Sequence, residues 1–236
     1  MLLATDLDGT FLGGSEEDRT QLYRYIRADK NIILVFVTGR GLQSILPLLE
    51  DEQMPRPHFI IGDVGATIVH GLTLEPVQPL QDEIAGKWPG QEIIRQHLEH
   101  VKGLRFQEVP QERRCSFFYD QDTDIAAAIH IVTDLGCDFI QSAGKYLDVL
   151  PKGVNKGHTL HQLIQQLGYP EDKILVAGDT MNDRSLYDLG FKGVVVGGAE
   201  PALLGYTGEL RHVLQARKTG AGGISEAIDA FPTLLS

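Results

Sequence analysis

The sequence predicts an α/β protein: a parallel-sheet core interrupted by a small α+β insertion. Three observations carry this reading. The first eighty residues alternate apolar runs with amphipathic stretches in the order β-α-β-α-β. Residues 82–154 change to α-β-β-α-β-β, which suits a separate antiparallel module. The alternating rhythm then returns and runs to the end. The domains expected are therefore 1–81 with 155–236 for the core and 82–154 for the insertion, termed the cap.

Each element follows from local pattern. "MLLAT" is apolar throughout, as a buried strand should be. "SEEDRTQLYRYIRADK" carries Leu22, Tyr25 and Ile26 at helical spacing, and Ser15 with Asp18 forms a capping start. "NIILVFVT" is a second buried strand. "GLQSILPLLED" is a helix that Pro47 shortens or kinks. "HFIIGDVGATIVH" is strand, turn, strand. In the cap, "QDEIAGKWPGQEIIRQHLEHVKG" is helical around Pro89, and "LRFQEV" and "RCSFFYD" are strands. "DTDIAAAIHIVTDLG" is a helix stopped by Gly136, and "CDFIQSAGKYLDVLP" a hairpin turning at Ala143-Gly144. The core resumes with a helix in "KGHTLHQLIQQLG", a strand in "KILVAGD", a helix in "NDRSLYDLG" and a strand in "FKGVVVGGA". "GGISEAIDAF" closes the chain as a helix.

Composition removes several function classes. Twenty-one Lys and Arg against 32 Asp and Glu give a net charge of −11, and no basic run interrupts it. Nucleic acid and anionic membrane are therefore not expected partners. No apolar stretch reaches the roughly 20 residues of a membrane span, and no basic segment precedes the first apolar run as in a signal peptide. Cys115 and Cys137 form no CxxC and no zinc spacing. A reduced, cytoplasmic protein is expected, with one disulfide the alternative.

The chemistry gathers where strands end, because ligands of open parallel sheets sit beyond the carboxyl ends of the strands. Asp6, Asp8 and Thr10 follow the first strand, and Thr38, Gly39 and Arg40 the second. Gly62, Asp63 and Gly65 follow the third. Lys156 opens the helix at core re-entry, and Gly178, Asp179, Asn182 and Asp183 follow the next strand. In extended chain, residues i and i+2 point the same way, so Asp6 and Asp8 can face one ligand. Asp179 and Asp183 add two more carboxylates. Such crowding needs a cation, and oxygen-only ligands favour Mg²⁺ over zinc. Thr38 and Lys156 supply a hydroxyl and a positive charge for phosphoryl oxygens. One carboxylate of the Asp6/Asp8 pair can attack phosphorus while the other handles the proton.

These residues resemble the haloacid dehalogenase-like (HAD) phosphatases. The first motif of that superfamily, DxDGT, stands as Asp6-Leu7-Asp8-Gly9-Thr10. The second is Thr38 in "VTGR", the third Lys156 in "NKG", and the fourth, GDxxND, runs from Gly178 to Asp183. The resemblance implies a Rossmann-like core with an inserted cap. It makes Asp6 the nucleophile and Asp8 the acid/base. Mg²⁺ would be held by Asp6, the Asp8 backbone carbonyl and Asp179, with Asp183 close by. Thr38, Gly39, Lys156 and Asn182 would bind phosphate. Cap order is similar to the sugar-phosphate branch. "SAGKYLDVLPKGVNKG", "GDTMNDRSLYDLG" and "AGGISEAI" are most similar to sucrose-6-phosphate phosphatases, whose first motif often reads DLDNT rather than DLDGT. The implied substrate is a sugar phosphate, sucrose-6-phosphate first, supplied by a glycosyltransferase to a monomeric enzyme. Mannosylfructose-phosphate phosphatase, phosphomutase and a non-catalytic phosphate sensor are the alternatives.

Other residues are open. Arg40, Lys145 and Asp148 are substrate candidates, with surface roles the alternative. Asp63 is read equally as turn residue or substrate contact. His158 and His161 lack a third ligand and read as helix surface. Trp88, Phe117, Phe118 and Tyr119 read as packing before sugar stacking. Gly220, Gly222 and Gly223 read as an anion-binding helix start or an ordinary loop.

Overall fold

A computed structural model describes residues 1–110, 112–142 and 144–234. The chain begins with β1 (Leu2–Thr5), α1 (Glu16–Ala28), β2 (Ile33–Val37), α2 (Leu42–Ile45), β3 (Phe59–Gly62), β4 (Thr67–His70) and α3 (Leu80–Ala85). The cap follows with α4 (Gln91–Leu98), β5 (Arg105–Gln107), β6 (Cys115–Phe118), α5 (Ile125–Asp134), β7 (Cys137–Ser142) and β8 (Tyr146–Pro151). The core resumes with α6 (Lys156–Leu167), β9 (Ile174–Gly178), α7 (Arg184–Tyr187), β10 (Lys192–Gly197), α8 (Pro201–Thr207), β11 (Val213–Thr219) and α9 (Gly220–Ala230).

Seven strands form the core sheet in the order β11-β10-β9-β1-β2-β3-β4. Every neighbouring pair is parallel except β3 with β4. β1 lies between β9 and β2, so both its edges are paired, and apolar clusters cover both its faces. Leu3 packs into one apolar cluster, and Leu2 and Ala4 into the other. That two-sided burial is why "MLLAT" shows no alternation. Ser15 caps α1 as expected, its hydroxyl accepting the Asp18 N–H at 3.1 Å. Pro47 ends α2 early, and residues Leu46–Glu50 continue as a 3-10 turn.

The cap is a four-stranded antiparallel sheet, β5-β6-β8-β7. One face, with Cys115, Phe117, Leu147 and Val149, packs on α4 and α5. The alternate residues Ser116 and Asp148 are cross-strand partners on the opposite face. On that face Ile140 packs into a core cluster, so it is turned toward the core. Cys115 and Cys137 are both buried and free. Trp88, Phe117 and Tyr119 belong to the cap's apolar cluster, and Phe118 lies against Tyr146 at 5.5 Å.

Three differences from the sequence reading have physical causes. α3, which the expected boundary at 81/82 divides, packs on the core through Leu80 and Ile84. β11 was not expected, because Gln215, Arg217 and Lys218 break its apolar pattern; pairing with β10 makes it a strand. Gly220, Gly222 and Gly223 open the helix α9 rather than form a loop, and its Ala221 N–H donates to the Gly13 carbonyl at 3.1 Å. Gly144 is left-handed (φ 62°), as the hairpin turn requires, while Ala143 lies outside the described residues. His158 and His161 lie part-exposed on α6, and the His161 ring pairs with Gln165 at 3.3 Å.

Candidate active site

The carboxyl ends of β1, β2 and β9 meet the first turn of α6. The Asp6 N–H donates to the Ala177 carbonyl at 2.9 Å, which stitches β1 to β9 and fixes the Asp6 side chain beneath the cleft. Asn155 caps α6 by accepting the His158 N–H at 2.8 Å. That start places the next residue, Lys156, fully buried under the sheet edge. Its ammonium donates to Asp6 Oδ1 at 2.7 Å, Asn182 Oδ1 at 2.8 Å and Asp183 Oδ1 at 2.6 Å. All three donor positions of the ammonium are used.

Asp183 is an anchor. Its Oδ2 accepts the backbone N–H groups of Asp179 at 3.0 Å and Thr180 at 3.1 Å. This carboxylate lies so close to Gly178 that a Cβ there would stand 2.5 Å from the Asp183 Cγ. The glycine of the GDxxND motif is therefore a packing requirement. Gly9 has the same origin: it is left-handed (φ 77°), and a Cβ would meet Asp179 Oδ2 at 2.2 Å. Asp179 itself accepts the Thr10 hydroxyl at 2.7 Å.

One oxygen each of Asp6, Asp179 and Asp183 lies within 4.8 Å of the others. Burial raises the Asp6 carboxyl, Lys156 opposes that rise, and Asp183 and Asp179 add to it. Burial likewise pushes Asp179 up to about 6, against the Thr10 hydrogen bond. Burial pulls the Lys156 ammonium down, but Asp183 and Asp6 reverse this and raise it. Three close carboxylates with only one buried cation among them make an oxygen-only donor set suited to a hard divalent ion.

Asp8 is not part of this cluster. With Asp8 extended and Gly9 left-handed, the chain turns away, and the Asp8 side chain is 61% exposed. Arg40 grips it through Nε to Oδ2 at 2.7 Å and Nη2 to Oδ1 at 2.5 Å. The sequence expectation of four convergent carboxylates is corrected to three. As a metal ligand Asp8 has only its backbone carbonyl to offer.

Thr38 is buried, and its Oγ1 accepts the Arg40 N–H at 3.2 Å, which leaves the hydroxyl proton for a ligand. The Asn182 Oδ1 also accepts the Thr180 hydroxyl at 2.9 Å, so its NH₂ remains to donate. That Nδ2 lies beside Gly39, 3.9 Å from where a Cβ would stand. These groups line a cleft of about 360 Å³. Val109, Pro110 and Arg114 form its cap side.

Among the cap candidates, Asp148 acts through Arg114. Asp148 Oδ1 accepts the Ser116 hydroxyl at 2.5 Å and lies 3.6 Å from Arg114 Nε. Arg114 Nη1 in turn donates to the Gly39 carbonyl at 2.8 Å. Lys145 lies over the Tyr146 ring at 4.9 Å and does not line the cleft. Sequence reasoning missed Arg114, which stands in the mixed-charge "VPQERR" loop between two cap strands. A charged loop beside a proline, at the entry to a strand that faces the core, was the available signal.

A buried aspartate at a strand end, a lysine bridging it to a second acid, a threonine loop and an inserted cap define a HAD-type phosphatase. The chain belongs to the sucrose-6F-phosphate phosphohydrolase family, whose family model matches residues 1–232. It is 50% identical over 232 residues to the glucosylglycerol-phosphate synthase of Pseudomonas anguilliseptica, covering 98% of this chain but 31% of that protein. It is 30% identical to the mannosylfructose-phosphate phosphatase of Agrobacterium fabrum, covering 96% of this chain and 95% of that one. Sucrose-phosphatase 1 of Nicotiana tabacum is 28% identical, and this chain spans 59% of its length. The solved sucrose-phosphatase of Synechocystis sp. PCC6803 superposes with a TM-score of 0.84 at 27% identity over 98% of both chains. No described helix is long and apolar enough to cross a membrane.

Proposed function

We propose that this sugar-phosphate phosphatase is Mg²⁺-dependent and hydrolyses its substrate through a phosphoaspartyl enzyme at Asp6. The observation that carries this is the placement of Asp6: buried, held on one oxygen by Lys156, and facing a cleft lined by phosphate donors. The phosphoryl group would seat against the Thr38 hydroxyl and the Asn182 amide, while Lys156, its three donors already taken and buried outside the cleft lining, contributes its positive charge from behind Asp6 rather than the direct contact expected from the sequence. The Asp6 carboxylate attacks phosphorus, and the bond from phosphorus to the sugar oxygen breaks. Asp8, freed from Arg40 and protonated from solvent, gives that proton to the leaving oxygen. As a carboxylate, Asp8 then takes a proton from water, which attacks the phosphoaspartate, frees Asp6 and releases inorganic phosphate. Asp6, Asp179 and Asp183 with the Asp8 carbonyl would hold Mg²⁺, which when bound offsets the charge of the phosphoryl group and carboxylates.

Arg40 holds Asp8 as an ion pair, so Asp8 must be released before it can donate a proton. An arriving phosphate dianion offers Arg40 a second anion and thereby frees Asp8. Arg40 thus links substrate entry to the state of the acid.

For the substrate, the 50% relative supports glucosylglycerol phosphate ahead of sucrose-6-phosphate. Sucrose-6-phosphate and mannosylfructose phosphate form the second reading, supported by relatives at 27–30%. That relative is named a synthase, and this chain matches 31% of it, which favours a glycosyltransferase as the source of substrate. A cytoplasmic location accords with the free thiols. Purified protein with Mg²⁺ and these three phosphates tests the reading by phosphate release. Fastest turnover is expected with glucosylglycerol phosphate; no release from any of them refutes it. A phosphomutase would instead return phosphate to another sugar carbon without ¹⁸O uptake from water.

A further inference from the structure

We propose that Asp63 is the floor of a glycosyl subsite, where its carboxylate accepts hydroxyls of the sugar ring that carries no phosphate. The proposal rests on the reading above that the substrate is a phosphorylated glycoside. Asp63 follows β3 and is 3% exposed. Its Oδ2 accepts the Thr67 hydroxyl at 2.6 Å. Its Oδ1 is buried and has no partner among the described residues. Buried carboxylate oxygens are rarely left unpaired, so an acceptor here points to a missing donor.

The backbone is held to keep it so. Asp63 (φ 51°) and Val64 (φ 58°) are both left-handed, and a β-branched residue takes that conformation rarely. Two hydrogen bonds enforce it: the Asp63 N–H to the Arg40 carbonyl at 2.9 Å and the Val64 N–H to the Thr38 carbonyl at 3.1 Å. The Asp63 turn is thus bonded directly to the phosphate-binding loop.

Asp63 lines a chamber of about 220 Å³ next to the phosphate cleft. Thr67 and Gln43 of the core, the apolar Leu74, and Glu112 and Arg113 of the cap share its wall. Pro110 borders both chambers, and Arg114, one residue past Arg113, lines the phosphate cleft. Neighbouring cap residues therefore border both, and one molecule can place its phosphate in the first and a ring in the second. The chemistry selects the occupant. Two carboxylates disfavour a second anion. A lone buried carboxylate beside an arginine is a poor cation site. A single water fills only roughly 30 Å³ of such a space. Mixed acceptors, donors and an apolar wall suit the edge and face of a sugar ring.

The test uses methyl α-glucoside, which has no phosphate, titrated into the full chain and followed by amide NMR shifts. Shifts at Asp63–Thr67 and at Glu112 and Arg113 are expected, and they should vanish in Asp63→Asn. In parallel, the ratio of kcat/KM for glucosylglycerol phosphate to that for p-nitrophenyl phosphate should fall about tenfold in Asp63→Asn. Thr67→Val should lower the same ratio if Asp63→Asn does not fold. Glucoside shifts that avoid residues 63–67, or a ratio that neither variant moves, would overturn the subsite. Absence of phosphate release from every glycosyl phosphate would sink the phosphatase reading instead, while the glucoside titration still reads the subsite.

Discussion

Lys156 lies buried beneath the cleft that Arg114 lines from the cap side, and the two are held in different ways. Lys156 is fully buried, and all its partners belong to the core. Arg114 is tied to Asp148 of the cap on one side and to the Gly39 carbonyl of the core on the other. The core sheet is covered by apolar clusters on both faces, whereas the cap sheet has its own cluster on one face only. A rigid displacement of the cap would break the Arg114 contact and leave the Lys156 network intact. The proposed chemistry thus rests on contacts within the core alone, whereas the Arg114 contact spans core and cap.

The sharpest way to break this comparison is Asp6→Asn. Turnover should fall by about a thousandfold or more, because an amide is a poor nucleophile, and no acid-stable phosphoenzyme should be trapped. Turnover near the native rate would place the nucleophile elsewhere. Next is Lys156→Met, which leaves Asp6 and Asp183 buried without their cation. A loss of about 3–5 kcal/mol in urea unfolding is expected, with activity lost as well. Stability equal to the native chain would mean the core tolerates its charges unaided.

The metal should show in the pH dependence of stability. Asp179 titrates near 6 in the folded chain against 3.8 unfolded, and Asp6 is raised in the same direction. Between those values the folded chain holds protons that the unfolded chain has released. Without metal these two groups therefore make stability fall as pH rises through that window. Mg²⁺ should raise Tm more at about pH 7.5 than at about pH 5. An equal shift at both would argue against binding at these carboxylates. Arg114→Ala should raise KM for the glycosyl phosphate about tenfold while kcat stays within about threefold, since it removes a cap-to-core tie rather than a reacting group. Smallest is the stability change in Arg40→Ala: its pair with Asp8 is partly exposed and should contribute under about 1 kcal/mol, read by urea unfolding.

The motifs were legible because each is local. DxDGT, TGR, NKG and GDxxND each sit where a strand ends or a helix begins, and Gly9, Gly157 and Gly178 among their glycines are demanded by contacts under 3 Å. β11 was not legible, because an edge strand with charged residues owes its form to its neighbour. Arg114 was not legible for a related reason: its partners Asp148 and Gly39 are far from it in sequence. Asp63 could be seen as a polar residue after a strand, but its unpaired oxygen could not.

The sequence by itself determined the parallel core, the inserted cap and the candidate residues for phosphoryl chemistry. Those follow from hydrophobic period and from residue types at fixed short spacings. Only the tertiary structure decided which carboxylates converge. Asp6, Asp179 and Asp183 meet because adjacent parallel strands bring their ends together. Asp8, two residues from Asp6, turns out to Arg40 instead, because Gly9 bends the chain at that point. Spacing says which side chains share a face; only packing across the sheet says which of them share a ligand.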